Sequence, residues 1–141
     1  MKIGVLELRS LRPAELDYEA WFLPATLLTA CAAWFWLRAG LPWPKCWLRH
    51  SVGIPCPACG STRTALCFAQ GHFGAAFQIN PLAALTYVGV LVYDVYAGCV
   101  LALRLPRWRL APIPSNVKQA LSILFVAIVI VNWAYLIVHL R

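Results

Sequence analysis

The sequence predicts an all-α integral membrane protein with three transmembrane helices and one or two short interfacial or re-entrant helices between the first and the second. Hydrophobic residues make up 62% of the 141 residues, charged residues only 12%, and the mean hydropathy is +0.71. A soluble domain is about half apolar and about a quarter charged. The apolar residues are concentrated in long runs, as membrane-spanning helices require. The length favours a single membrane domain over residues 1–141.

The three apolar runs define the transmembrane helices, and a charged segment precedes them. We expect residues 1–19 to form a short helix at the membrane surface. The first run, 20–37, has Pro24 in its opening turns, where proline is best tolerated, and Trp34 and Trp36 as interfacial anchors. We expect this run to stay in the protein as a signal anchor. The runs 82–103 and 119–140 are each long enough to cross a bilayer.

Two connections join these spans. Residues 38–81 are too long for a simple turn and too apolar for a disordered linker. Within them, 61–70 and 72–79 predict short helices that lie in the interface or dip into the membrane. A dipping segment has to be covered by protein, because lipid cannot hydrogen-bond to its backbone. Residues 104–118 form a basic loop that three prolines keep extended.

The net charge of +7 fits a membrane protein, because the basic residues flank the apolar runs and face anionic headgroups. This clustering argues against nucleic-acid binding. With three spans, the N-terminus and the 104–118 loop share one side of the membrane. The positive-inside rule predicts that this side is cytoplasmic and that the cysteine motif is extracytoplasmic. The basic residues on the first side are Lys2, Arg9, Arg12, Arg104, Arg107, Arg109 and Lys118, against Arg38, Lys45, Arg49, Arg63 and Arg141 on the other.

The segment GIPCPACGSTRT, residues 53–64, suggests thiol chemistry. Cys56 and Cys59 have the C-x-x-C spacing of thiol–disulfide oxidoreductases. A helix N-terminus and the nearby Arg63 would lower the pKa of such a thiol. Enzymes of this kind also need a second cysteine pair or a quinone to pass electrons on. Cys46 and Cys67 could be that pair, although their spacing does not indicate it. Redox chemistry is therefore one interpretation of the segment.

Zinc binding is a second interpretation. Cys46, Cys56, Cys59 and Cys67 could supply four thiolates to a tetrahedral ion, with His50 or His72 as substitutes. Structural zinc sites usually show two paired half-sites, and this chain has one C-x-x-C. We rank zinc below redox chemistry.

The same segment can also bind an anion. Gly60, Ser61 and Thr62 open a helix, so that their free N–H groups point to one spot, and Arg63 adds a guanidinium. A phosphate or a carboxylate would fit there. A purely architectural role stays open, in which Pro57 and Gly60 shape a tight turn. We favour architecture or a ligand site over redox chemistry.

A series of fixed residues links this segment to a known family. The pattern is G-x-x-C-P-x-C-G-x-T-R, then a glycine, an alanine-rich turn and Asn-Pro before a hydrophobic span. Its positions are Gly53, Cys56, Pro57, Cys59, Gly60, Thr62, Arg63, Gly71, Ala75, Ala76, Asn80 and Pro81. Over about residues 50–105 the chain resembles domain-of-unknown-function family 2752, small bacterial membrane proteins without an established activity. His72 stands where that family has an acidic residue. The resemblance implies a bacterial inner-membrane location.

Polar residues inside the spans are further candidates. Asn80 and Pro81 predict the start of the second span, because Asn is a good N-cap and Pro is favoured at the first helical position. Asp94 lies near the middle of that span, where a carboxylate is costly and is therefore a functional candidate. Asn132 lies at a similar depth if the second and third spans are antiparallel. We expect a hydrogen-bonded pair of Asp94 and Asn132 that joins the helices. A protonatable site or an anchor for Arg63 is the alternative.

These observations favour a non-enzymatic protein. The sequence has no Gly-rich phosphate loop, no nucleophile with its base and no carboxylate pair. We expect an accessory protein of the lipid bilayer whose motif binds a membrane-protein partner or an anionic headgroup, without cofactor or metal. The alternative is a membrane thiol–disulfide oxidoreductase that uses Cys56 and Cys59. A transporter subunit, resting on Asp94 alone, is a third hypothesis.

Overall fold

A computed structural model describes residues 2–3, 6–9, 16–42, 46–110 and 114–139 of the protein. Three helices in these residues are long and apolar enough to cross a membrane, which confirms the predicted fold class. The described elements are β1 (Lys2–Ile3), β2 (Leu6–Arg9), α1 (Tyr18–Arg38), α2 (Trp47–Val52), α3 (Ser61–Ala69), α4 (Phe73–Ile79), α5 (Pro81–Leu103), β3 (Arg107–Leu110) and α6 (Ser115–His139).

The long helices α1, α5 and α6 correspond to the three predicted spans and extend slightly beyond them. Helix α1 begins at Tyr18 because Asp17 caps it: the Asp17 carboxylate accepts a hydrogen bond from the backbone N–H of Ala20 at 3.2 Å. Helix α5 begins at Pro81, one residue before the predicted start, and α6 begins at Ser115, four residues before it. The caps Asp17 and Asn80, which lie outside the apolar runs, account for the extensions of α1 and α5.

The short surface helix expected over residues 1–19 is wrong for residues 2–3 and 6–9. Strands β1 and β2 form an antiparallel pair there, and β2 pairs in turn with β3. The register places Glu7 opposite Arg109 and Arg9 opposite Arg107. Strand β3 lies in the 104–118 connection, whose prolines favour extended backbone. Backbone hydrogen bonds to β3 stabilise the N-terminal segment as a strand rather than as a helix.

Three short helices, rather than one or two, lie between α1 and α5 in the described residues. Helices α3 and α4 match the predicted segments 61–70 and 72–79, whereas α2 was not predicted. Helix α2 has six residues, too few to show a helical period in the sequence. It ends at Gly53, which has the left-handed conformation common after helices.

The chain divides into two compact units. The first comprises Met1–Pro42 and Val90–Ser115, and contains the sheet and α1. The second comprises Trp43–Gly89 and Asn116–Arg141, and contains the three short helices and the predicted motif. In the second unit, Phe68 packs against Phe73 and Tyr87 with ring centroids 5.4 and 6.1 Å apart, which joins α3, α4 and α5. The aromatic contacts fix the motif helix α3 to its neighbours.

Candidate functional site

A cleft of about 640 Å³ lies at the cysteine motif, and we call it the motif cleft. It collects residues from α2, from the turn after it and from the first turns of α3. Its lining residues are Cys46, Arg49, His50, Cys56, Ala58, Cys59, Gly60, Ser61, Thr62, Arg63 and Leu66. Five predicted site residues, Cys56, Cys59, Gly60, Thr62 and Arg63, are therefore brought together in one cavity.

A tight turn gives the motif its shape. The backbone N–H of Cys59 donates to the carbonyl oxygen of Cys56 at 2.9 Å, and that of Ser61 donates to Ala58 at 3.2 Å. Gly60 follows with a φ of 87°, a left-handed backbone conformation that residues with a Cβ rarely adopt. Helix α3 then begins, and no side chain caps its N-terminus. Because the Ser61 N–H is bonded to Ala58, the N–H groups of Thr62 and Arg63 are the ones at the start of α3 that have no acceptor among the described residues.

The carbonyl groups of the motif are held by Asn80. The Asn80 side-chain amide donates to the carbonyl oxygen of Cys59 at 3.1 Å and lies 3.4 Å from that of Pro57. Its oxygen accepts from the backbone N–H of Ala83 at 3.0 Å, which is the N-cap expected at the start of α5. One buried amide therefore joins the motif turn to the first turn of α5.

Helix α6 contributes a second amide and an indole to the same turn. The Asn132 oxygen accepts from the backbone N–H of Leu82 at 3.1 Å, and its amide nitrogen lies 3.4 Å from the Pro57 carbonyl. Trp133 donates through Nε1 to the Pro55 carbonyl at 2.7 Å. Because Pro55 is buried, its carbonyl would otherwise lack a partner, so the indole donor stabilises the turn.

Alternate carbonyls along the motif thus meet neutral side-chain donors. The series ends at Ser61, whose carbonyl accepts a hydrogen bond from the Tyr87 hydroxyl at 3.2 Å. The full set of acceptors is Pro55, Pro57, Cys59 and Ser61. With the carbonyls occupied by α5 and α6, the motif presents side chains and N–H groups to the cleft.

Three thiols line the motif cleft, and two of them are hydrogen-bonded. The backbone N–H of Arg49 lowers the pKa of the Cys46 thiol, and a hydrogen bond from the Cys56 thiol lowers it further. Burial raises the pKa of the Cys56 thiol, and donating to Cys46 raises it further. Cys59 is 8% exposed. The sequence names Cys46 as a zinc candidate and, with Cys67, as a candidate second redox pair, whereas the structure places it beside Cys56 in the cleft.

The residues proposed for zinc do not converge. Cys67 does not line the motif cleft, and His72 precedes α4. In the described part of the chain, no three side chains of the types His, Cys, Asp and Glu are close enough to hold a metal ion. A structural zinc site requires four Cys or His ligands at one point. The cysteines therefore do not support that interpretation.

The cleft is basic. Arg49, His50 and Arg63 line it, and the sequence contains no Asp or Glu between Glu19 and Asp94. Arg63 is exposed, and within the described residues its side chain makes no ion pair or hydrogen bond. A guanidinium in such surroundings can accept an anion from outside the segment, and it offers a planar set of donors that matches phosphate or carboxylate.

Asp94 and Asn132, expected to pair, each have another partner. Asp94 lies in the first unit, where its carboxylate accepts a hydrogen bond from the Thr26 hydroxyl at 2.9 Å, which joins α5 to α1. Asn132 bonds to Leu82 and Pro57, as described above. Both residues link helices, as the sequence suggested, but through different contacts.

The comparisons with known proteins single out the region of the motif cleft. The family described as "Protein of unknown function (DUF2752)" matches residues 46–93. We call residues 46–93 the DUF2752 segment. The search of curated proteins found no match, and neither did the search of solved structures. The DUF2752 segment begins at Cys46 and includes every residue that lines the motif cleft.

Some residues of the site were not found from the sequence. Asn132 was named only for its depth in the membrane, and Trp133 and Tyr87 were not named as part of the site. All three lie in predominantly apolar spans, and the position of Trp133 directly after Asn132 is the signal that the sequence offers. Asn132 and Trp133 also lie outside the DUF2752 segment.

Proposed function

We propose that the protein is a small multi-pass protein of the bacterial inner membrane whose motif cleft binds the phosphate of an anionic lipid headgroup. The role is accessory and non-enzymatic. The observation that carries the proposal is the basic cleft itself: Arg63 and the uncapped start of α3 lie at it, and residues 20–93 contain no carboxylate. Phosphate oxygens can accept hydrogen bonds from both kinds of donor at once.

A lipid is favoured over a free anion by the apolar surface beside the cleft. Trp47, two residues before Arg49 on α2, is 76% exposed, and Val52 on the same helix is also exposed. Tryptophan is enriched at the membrane–water interface, where its ring lies at headgroup level. Helix α2 thus combines an interfacial anchor with a cleft arginine. The orientation proposed is a cytoplasmic N-terminus with the motif cleft on the opposite side, supported by the distribution of Lys and Arg.

The test measures lipid retention by the full chain. Purified protein in mild detergent is mixed with phosphatidylglycerol or phosphatidylcholine, and bound lipids are counted by native mass spectrometry. We expect phosphatidylglycerol to be retained and Arg63→Ala to weaken its retention about tenfold, the size of a lost charge-assisted hydrogen bond. Lys118→Ala is the matched control, because it removes the same charge from an exposed position in α6.

Three outcomes would contradict the proposal. Equal losses for Arg63→Ala and Lys118→Ala would indicate non-specific attraction to the net positive charge. Retention of phosphatidylcholine as strong as that of phosphatidylglycerol would remove the selectivity for an anionic headgroup. Full displacement of the lipid by inorganic phosphate at equal concentration would identify a free anion as the ligand.

A second candidate function is a membrane thiol–disulfide oxidoreductase that uses Cys56 and Cys59. The observation in its favour is that both thiols line the same cleft. Cys59 is the less accessible of the two. If this function holds, Cys56→Ser and Cys59→Ser each abolish disulfide exchange with a substrate protein, while Arg63→Ala changes only its rate. Loss of function on Arg63→Ala with both serine variants active would exclude it.

A further inference from the structure

The three thiols of the motif cleft are not equivalent. Cys46 and Cys56 line the same cleft, and each thiol is close enough to shift the pKa of the other, although ten positions separate them in the sequence. Cys59 completes the C-x-x-C spacing, yet it is nearly buried, and its backbone is held on both sides. Its N–H donates to Cys56 and its carbonyl accepts from Asn80.

Accessibility points to Cys46 as the thiol that meets an external reagent. Cys46 is half-buried, whereas Cys59 is 8% exposed. The neighbouring N–H of Arg49 and the Cys56 thiol lower the pKa of Cys46, so it holds more thiolate near neutral pH than Cys56 does. Thiol–disulfide exchange proceeds through the thiolate, and access to the attacking sulfur limits its rate.

From this arrangement we infer that Cys46 and Cys56, not Cys56 and Cys59, form the redox-active dithiol of the motif cleft. It exchanges with an external disulfide, carried by a small molecule or a protein. This inference is independent of lipid binding, and it changes the cysteine pair assigned in the second candidate function.

The exchange takes two balanced steps. The Cys46 thiolate attacks one sulfur of a disulfide RS–SR, forming the mixed disulfide Cys46–SR and releasing one thiolate RS⁻. Cys56 then gives up its proton to the released thiolate and attacks the Cys46 sulfur. The Cys46–Cys56 bond forms, and the second RS⁻ leaves and takes a proton from water. The protein has lost two electrons, and the external disulfide has been reduced to two thiols.

The geometry supports this order of events. Cys56 lies beside Cys46 in the cleft, so the resolving thiol is next to the mixed disulfide as soon as it forms. The bond would close the segment from Cys46 to Cys56, which contains α2 and the left-handed Gly53. It would leave the turn from Cys56 to Cys59 and its Asn80 contacts unchanged.

The experiment maps the first disulfide formed in the wild-type chain. Reduced protein in detergent is exposed to 2-hydroxyethyl disulfide, a neutral reagent that does not depend on the basic groups of the cleft. After an acid quench, free thiols are alkylated and the protein is digested for mass spectrometry. We expect a Cys46–Cys56 cross-link with Cys59 alkylated. The wild-type measurement needs no substitution, so a folding defect cannot produce the result.

Two variants complete the test. Cys59→Ser is expected to form the same cross-link, and Cys46→Ser to form no Cys56–Cys59 cross-link in its place. A Cys56–Cys59 bond in wild type, alkylated Cys46 after oxidation, or no oxidation at all would overturn the inference. None of these outcomes affects the retention of phosphatidylglycerol by Arg63, so the two proposals fail separately.

Discussion

Two groups of arginines in this protein have opposite surroundings. In the first unit, Arg107 lies 2.6 Å from the Asp17 carboxylate, and Arg109 lies 3.0 Å from the Glu19 carboxylate. Glu19 is only 1% exposed. In the second unit, Arg63 lines a cleft, and no carboxylate occurs from residue 20 to residue 93.

The difference indicates two uses of the same side chain. Where the chain supplies the counterion, the arginine joins elements: Asp17 and Glu19 lie at the start of α1, while Arg107 and Arg109 lie in β3. Arg109 also lies 5.3 Å from the centre of the Tyr18 ring. Where the chain supplies none, the arginine is available to an external anion. All five acidic residues lie outside the second unit: Glu7, Glu15, Asp17, Glu19 and Asp94.

The largest expected effect comes from removing a buried counterion. Glu19→Ala leaves Arg109, which is mostly buried, without its carboxylate, and should destabilise the protein by about 3 kcal/mol. The measurement is the loss of helical circular dichroism as mixed micelles are titrated with SDS. Glu19→Gln keeps an acceptor and should lose less. An unchanged midpoint for Glu19→Ala would show that the ion pair contributes nothing to stability.

The second-largest effect is expected at Asn80, which joins the motif turn to α5. Asn80→Ala removes the cap of α5 and the donor to the Cys59 carbonyl, and should cost about 2 kcal/mol. Asn80→Asp retains the cap oxygen but not the amide donor, so it separates the two contributions. Gln78→Ala, at an exposed position nearby, is the control. The same SDS titration applies, and equal midpoints for the alanine variants at 78 and 80 would contradict the assignment.

A carboxylate introduced beside Arg63 should give it an internal counterion, as Arg107 and Arg109 already have. Ser61→Asp places a carboxylate in the first turn of α3, at the cleft and close in sequence to Arg63. It should stabilise the helix by about 0.3–1 kcal/mol through the favourable charge at its N-terminus. It should also reduce phosphatidylglycerol retention as far as Arg63→Ala does. Ser61→Asn, without the charge, should retain the lipid; if it does not, loss of the serine rather than charge is responsible.

The smallest effect is expected at Asp94, the one carboxylate whose partner is a hydroxyl in the described residues. Thr26→Val removes the donor and should cost about 0.6 kcal/mol, the average for hydrogen bonds between membrane helices. Thr29→Val is the matched control, because the Thr29 hydroxyl donates to the Ala25 carbonyl of its own helix and, among the described residues, to no other helix. If both variants unfold at the same SDS fraction, the Asp94 contact does not hold α1 against α5.

Local signals in the sequence predict much of this architecture. The apolar runs predict α1, α5 and α6, because a membrane imposes their length. Asn80 and Pro81 predict the start of α5 from capping alone. The donors from Asn132 and Trp133 could not be predicted, because they depend on which helix faces the motif. The proximity of Cys46 to Cys56 could not be predicted either, because the C-x-x-C spacing favours Cys59 as the partner of Cys56.

Strand β2 and helix α2 are elements that local sequence signals did not predict. Residues 6–9 have charges compatible with a surface helix, and pairing with the distant β3 makes an extended conformation preferable. Likewise α2 is too short for its period to be seen. The strand at residues 6–9 depends on pairing with a distant segment, which local sequence does not show. Helix α2 was missed because it is short.

The contacts of Asn132 and Trp133 with the motif turn have a consequence for the order of synthesis. A ribosome adding about 5–20 residues per second makes Asn80 some seconds before Asn132, which lies about 50 residues later. During that interval the nascent chain has the motif and the start of α5, but the Pro55 carbonyl has not met the indole that will bind it. The motif is therefore completed only when the last helix enters the membrane. A chain whose translation stalls before Asn132 would expose an unfinished turn to quality-control proteases.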